Sequence, residues 1–263
     1  MQDLRFAGVR SSEAGSDIIA SVLDASLGDG NNPNLWKLDL HDNTFKSNAS
    51  HEALFRALGS ARSLTYLDLG NCDMGDDGIK KVCHALFVSQ SLLDHLDLSG
   101  NDVTRHGAKD IADYIQDCGG NLKTLRLEDN DELSSKGVVL IASALRGSED
   151  GHNIEEIQLN KCMIGASGAR ALIDAFGPNG KDLPKLRKIF LNGNSFADDV
   201  LSELEVAFDY RLGELDENDS DGDADDQLSD DEEEDENEDE TDGERVSDGV
   251  DDLAEAMGKS SLV

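Results

Sequence analysis

The residues of this 263-residue chain that could do chemistry are its cysteines, its histidines and its many carboxylates. Cys72, Cys83, Cys118 and Cys162 lie far apart, with no C-x-x-C pair and no histidine at metal-ligand spacing. Cys72 and Cys162 recur at one position of a repeating pattern and Cys83 falls on an apolar helical stripe, the placement of buried reduced thiols. His41, His51, His84, His95, His106 and His152 are scattered over different positions. A P-loop, H-E-x-x-H and G-x-S-x-G are all missing. Asp219-x-Asp221-Gly222 has the opening of a calcium loop, but with Gly222 sixth the first position is Glu217 and the twelfth is Leu228, where a bidentate Glu is needed. The expectation is a chain with no active site of its own, no metal and no cofactor. What remains is recognition chemistry: Asp39, His41, Asp42, Tyr66, Asp68, His95, Asp97, Arg126, Glu128 and Asp129 fall in or just after short strands. That row is mainly acidic with aromatic and basic groups interspersed, which suits a protein partner with a basic surface.

The elements that must position this row repeat. Leu64–x–x–Leu67–x–Leu69–x–x–Cys72–x–Met74 has the L-x-x-L-x-L-x-x-N/C-x-φ form of a leucine-rich repeat, φ being apolar. The same pattern begins at Leu35, Leu93, Leu122, Ile154 and Leu186, with spacings of 29, 29, 29, 32 and 32 residues. A degenerate unit starts near residue 1, with Val9 at the Asn position. A 29-residue period leaves room for a full helix in each unit. Gly78, Gly107, Gly137 and Gly168 each precede an apolar i, i+3, i+4, i+7 stripe, such as Ile111/Ala112/Ile115 after Gly107. The fold class expected is therefore α/β, a leucine-rich-repeat solenoid of about seven repeats. Its parallel strands form the concave side of a horseshoe and its helices the convex side. Strand alternation sends the flanking leucines inward and leaves Asp39, Asp68, Asp97, Arg126, Gln158 and Phe190 on the open face. Asn43, Cys72, Asn101, Asn130, Cys162 and Asn194 are expected to form a ladder that satisfies the backbone of neighbouring turns.

The ends differ from the middle. Glu205 takes a position that is apolar in the preceding helices, as suits a closing helix with a wet outer side. No polar cap precedes the first unit, so residue 1 is expected not to be the natural beginning of the solenoid. Two regions follow, a solenoid over residues 1–212 and a disordered acidic tail over 213–263. The net charge is −34, and residues 213–252 alone hold 23 acidic residues against one arginine. This balance argues against nucleic acid and anionic membrane surfaces as direct partners. Ser229, followed by Asp–Asp–Glu–Glu, is an expected target of an acid-directed kinase, and Leu253–Met257 is a short apolar patch. With neither a membrane-length apolar run nor a signal-peptide pattern at Met1–Arg10, a monomer in the cytoplasm or nucleus is expected.

The ending Leu186–x–x–Ile189–Phe–Leu191–Asn–Gly–Asn194–Ser–Phe196, then Asp198–Asp199–Val–Leu–Ser–Glu203, Phe208 and Gly213–Glu–Leu–Asp–Glu217 running into an acidic tract, closely resembles the carboxyl end of Ran GTPase-activating proteins. The stretch LWKLDLHDNTF from Leu35 resembles an internal repeat of that family. The resemblance implies a crescent that binds the GTP-bound small GTPase Ran, with a Ran-binding protein alongside, and speeds its hydrolysis in nucleocytoplasmic transport at the cytoplasmic side of the nuclear envelope. The family is thought to order Ran's own glutamine through an asparagine of an N-terminal repeat, without an arginine finger. It implies that the repeats carrying this asparagine lie upstream of residue 1. Arg10 matches a basic contact residue of the family, and Asp42 an acidic one at the end of a strand. Together with Asp39, Asp68, Asp97 and Arg126 they are the candidate partner-binding residues. Two other readings keep the architecture: an acidic leucine-rich nuclear protein acting as histone chaperone or phosphatase regulator, and a non-catalytic scaffold. The first has shorter repeats of about 23–25 residues, which the 29-residue period disfavours.

Overall fold

A computed structural model describes residues 3–8, 21–22, 35–44, 48–146, 153–177 and 185–218. All of these fall in the first of two compact units, Met1–Leu228; Ser229–Val263 form the second. Arg10, Val9, the helical stripe of the first unit, Ser229, Leu253–Met257 and the acidic tract beyond residue 218 lie outside the described residues.

Seven three-residue strands pair in chain order as one parallel sheet: β1 (Asp3–Arg5), β2 (Lys37–Asp39), β3 (Tyr66–Asp68), β4 (His95–Asp97), β5 (Thr124–Arg126), β6 (Glu156–Gln158) and β7 (Lys188–Phe190). Strictly sequential order is what a solenoid requires, because each unit can bury its apolar face only against its neighbours. Leu4, Leu38, Leu67, Leu96, Leu125, Ile157 and Ile189 are register partners at the strand centres and all are buried. Behind them stand α1 (Asn48–Ser60), α2 (Gly75–Ser89), α3 (Arg105–Cys118), α4 (Ser134–Arg146), α5 (Ala166–Phe176) and α6 (Asp198–Phe208). Their apolar stripes, for example Ile79/Val82/Leu86 and Val138/Ile141/Leu145, merge with the strand leucines into one core. The chain is an α/β leucine-rich-repeat solenoid.

The turn ladder is made by the side chains its positions suggest. Asn101 Oδ1 accepts from the backbone N–H of Cys72 (3.1 Å) and Met74 (3.2 Å), while its Nδ2 donates to the carbonyls of Leu69 (2.8 Å) and Ser99 (3.1 Å). Asn130 and Asn194 repeat the arrangement one step along, on Asn101/Val103 and on Cys162/Ile164. Where cysteine replaces asparagine the thiol takes the donor role: Cys72 Sγ donates to the Leu40 carbonyl (3.2 Å) and Cys162 Sγ to that of Leu127 (3.1 Å). Burial pushes both thiols up to about 12, so they stay protonated and able to donate. Two residues after the last inward leucine of each unit, a left-handed backbone position recurs at Asp42 (φ 58°), Asn71 (53°), Gly100 (59°), Asp129 (57°), Lys161 (52°) and Gly193 (71°). Asn, Asp and Gly dominate there because they adopt this region at least cost.

Two features differ from expectation. The helices start two or three residues before Gly78, Gly107, Gly137 and Gly168, so these glycines lie in the first turn. Their role is steric: a Cβ on Gly137 would lie 2.8 Å from Leu133 Cδ1 and 3.1 Å from Ala108 Cβ, and one on Gly107 would strike the Asp76 carboxylate. The first residues past 212 also pack on the last repeat. Leu212 bridges to Ile189, Leu215 packs on the core, and Asn218 Oδ1 accepts from the Asn194 N–H (3.0 Å) while its Nδ2 donates to the Leu215 carbonyl (2.8 Å). Leu215–Asp–Glu–Asn218 is a further rung of the ladder, acidic in composition but repeat-like in spacing.

Candidate partner-binding face

Parallel pairing in perfect register lines the outward side chains up in two rows across the sheet. One row is Asp3, Lys37, Tyr66, His95, Thr124, Glu156, Lys188; the other is Arg5, Asp39, Asp68, Asp97, Arg126, Gln158, Phe190. In the first row the Tyr66 and His95 rings stack at 4.2 Å with an interplanar angle of 2°, and Lys37 Nζ sits 3.4 Å from the Tyr66 ring centroid. Burial, opposed by Asp97, lowers the pKa of His95, so the ring that stacks is neutral near pH 7. Burial and the facing Asp68, Asp39 and Asp97 push the Tyr66 phenol up to about 12, leaving it a donor, with its hydroxyl 3.4 Å from Asp68 Oδ2. Cation, phenol and imidazole thus make a continuous flat platform, the kind of amphipathic surface that protein interfaces favour.

The second row is more self-satisfied than its sequence suggests. Asp39, Asp68 and Asp97 each turn an Oδ1 toward the N–H two residues on, at His41 (3.4 Å), Gly70 (3.1 Å) and Ser99 (3.0 Å). These are Asx-type bonds that end the strand. Asp97, expected to be a solvated contact residue, is instead buried, with its side chain 3% exposed and held by the Ser99 hydroxyl and by Arg126 Nη1 at 3.2 Å. Asp68 is likewise buried; burial first, then Asp97, raises its pKa. The physical reason is what stands over each carboxylate: Ser99 and Arg126 close over Asp97, and His41 (3.4 Å) and the Tyr66 hydroxyl (3.4 Å) lie against Asp68. Arg126 clamps the row, pairing with Asp97 and Glu128 (Nη2 to Oε1 3.2 Å) and donating to Gln158 Oε1 (2.9 Å).

Asp39 stays half-buried, and Asp42 lies at the rim, where its Oδ1 accepts from Asn71 Nδ2 (3.1 Å) beside His41. Glu128 and Asp129 continue that rim; Glu128 also accepts from Asn160 Nδ2 (3.3 Å), and Asp129 pairs loosely with Lys161 at 3.8 Å. The structure therefore brings Asp39, Asp42, Tyr66, His95, Arg126, Glu128 and Asp129 onto one face and withdraws Asp68 and Asp97 into it. Lys37 is the contact candidate that sequence reasoning passed over, although it stands immediately before Leu38 as Tyr66 stands before Leu67. Among the described residues no group of three or more His, Cys, Asp or Glu is placed to hold a metal, and no helix is long and apolar enough to cross a membrane. The geometry is that of a recognition surface.

The description "Leucine Rich repeat" fits residues 60–83, 90–112 and 121–142, three consecutive units of the solenoid. Among known proteins, RAN GTPase-activating protein 2 of Arabidopsis thaliana is 34% identical over 154 residues, covering 57% of this chain and 27% of that protein. Capping protein, Arp2/3 and myosin-I linker protein 2 of Mus musculus is 28% identical over 218 residues, 70% of this chain and 16% of that protein. NACHT, LRR and PYD domains-containing protein 13 of Homo sapiens is 36% identical over 108 residues, 41% and 10% respectively. The chain thus spans 10 to 27% of the length of these relatives. Proteins of several classes share the repeat, whose stacked units present the extended strand face that solenoids use for binding.

Proposed function

We propose that this chain binds the GTP-bound small GTPase Ran on the open face of its sheet and acts as, or within, an activator of Ran's GTP hydrolysis. The observation that supports this reading most is the 34% identity with a RAN GTPase-activating protein over 154 residues. The carboxyl-terminal run from Leu186 to Glu217, which resembles that family, extends the ladder to Asn218. The face suits the partner proposed: an acidic rim at Asp42, Glu128 and Asp129 would steer a basic patch toward the Lys37–Tyr66–His95 platform. The chain contributes no catalytic group of its own in this reading, and its place is the cytoplasm or the nuclear envelope. Mixing the full chain with GTP-loaded Ran and following both complex formation and phosphate release tests it. Stimulated hydrolysis is the result expected of a complete activator, and binding without stimulation that of a binding segment; absence of both overturns the proposal.

A further inference from the structure

The helix side carries a second surface that the strand face does not explain. Between α2 and α3 lies a groove of about 450 Å³ whose floor holds the buried Tyr114 and Cys83 and whose lip is Phe87. Phe87 is 52% exposed where it forms the lip of the groove. Isolated apolar side chains on a surface need no explanation, but an exposed phenylalanine at the lip of a groove floored by Tyr114 and Cys83 does.

The charges along the groove say what fits it. Asp110, Asp113 and Asp117 recur at i, i+3 and i+7 and line the α3 wall. The facing wall carries Lys80, Lys81 and His84, with the lysines level with Asp110 when the units are aligned, and Lys80 and Lys109 are the cations that act on Asp110. Asp113 and Asp117 make no ion pair among the described residues. They also sit in the C-terminal half of α3, whose last turn has no basic residue, so they oppose the helix dipole. Apolar contact surface next to uncompensated carboxylates at helical spacing calls for an occupant with the complementary pattern.

We infer that the α2–α3 groove docks an amphipathic helix of a partner protein, its apolar stripe against Phe87 and Tyr114 and its lysines or arginines against Asp113 and Asp117. A second copy of this chain is the wrong occupant, because a net charge of −34 makes self-association repulsive. This site is separate from the strand face, so it stands whether or not the GTPase reading does.

The test uses the full chain and two fluorescent model helices of about 18 residues, long enough to be helical on docking. Both carry the same leucine stripe; one is flanked by lysines and the other by glutamates. The lysine helix is expected to bind and the glutamate helix not to. Phe87→Asp, and separately Asp113→Lys with Asp117→Lys, are each expected to weaken binding at least about tenfold. These side chains are exposed, and unchanged thermal unfolding verifies that the variants fold. Failure of the lysine helix to bind overturns the inference. So does binding that survives both variants, which assigns it to the general acidity of the chain, and so does a concentration-dependent dimer of the full chain that Phe87→Asp abolishes.

Discussion

At the scale of single residues the chain is held by side chains that finish the backbone of a neighbouring unit. Asn101 makes three such bonds and one to the Ser99 carbonyl of its own turn in a fully buried place, so Asn101→Ala strands two N–H groups and the Leu69 carbonyl, while the Ser99 carbonyl keeps the Asn71 N–H (2.8 Å). A loss of about 2–4 kcal/mol in urea unfolding is expected, with Asn101→Cys milder because a thiol can keep the donor role that Cys72 plays. Asp68 carries the reverse of the usual acid effect. Its folded pKa is raised, so the folded state holds the proton more tightly than the unfolded chain, and the ionised carboxylate costs stability. That cost is fully present above the raised value and disappears as pH falls below the ordinary value of 3.8. Asp68→Asn keeps an acceptor for the Gly70 N–H while removing the charge. The melting temperature of Asp68→Asn is expected to exceed that of the parent at about pH 7 and to match it at about pH 3; a lower value at neutral pH would show that the charge is used, chiefly by His41 at 3.4 Å. Alternation in the motif was enough to place Asp39, Asp68 and Asp97 on the outward side of the sheet. It could not tell which would be buried, because that depends on Ser99 and Arg126, one of them on the next strand, closing over Asp97.

At the scale of elements, strands and helices were legible because each unit repeats two periodicities, and from Leu35 onward the strand leucines and isoleucines recur 29 or 32 residues apart. What ties one helix to the next was not. Asp76 lies in the first turn of α2, yet its carboxylate accepts from the Thr104 N–H (2.9 Å), the Thr104 hydroxyl (2.6 Å) and the Gly107 N–H (3.0 Å), capping α3 from the neighbouring unit. Ser135 does the same for α5 through the Gly165 N–H at 2.8 Å. No local pattern announces a cap supplied from another helix; only the packed structure brings donor and acceptor together. Asp76→Ala is expected to cost about 1–2 kcal/mol, the value of a lost helix cap. Amide exchange should quicken first at the α3 N-terminus, and uniform exchange across α2 and α3 would contradict a local role. Gly168→Ala tests the steric reading of the first-turn glycines, since its Cβ would lie 2.6 Å from Ile164 Cγ2 and 3.0 Å from the backbone of Ser135. A loss of about 1–3 kcal/mol is expected there.

At the scale of the whole molecule, a solenoid is as stable as its ends allow, since each terminal unit has one neighbour fewer. The C-terminal edge is closed by Arg211, which donates to the carbonyls of Ala207 (2.9 Å) and Phe208 (3.2 Å), and by the rung running from Leu212 to Asn218. Acidic composition masked that rung in the sequence, where Glu214, Asp216 and Glu217 read as tail. A chain ended after Arg211 should therefore melt lower than one ended after Asn218, and equal melting would show that the last rung is ornamental. The binding face depends on the same register, which sets Asp42, Glu128 and Asp129 along one rim beside the Lys37–Tyr66–His95 platform. Asn and Gln keep the shape and hydrogen bonding of these acids, and Asn tolerates the left-handed backbone at 42 and 129. The most direct measurement is thus the affinity of GTP-loaded Ran for the full chain and for the triple variant Asp42→Asn, Glu128→Gln, Asp129→Asn. A weakening of about tenfold that narrows as salt is raised is the expected result, and equal affinity of the two chains at low salt would contradict it.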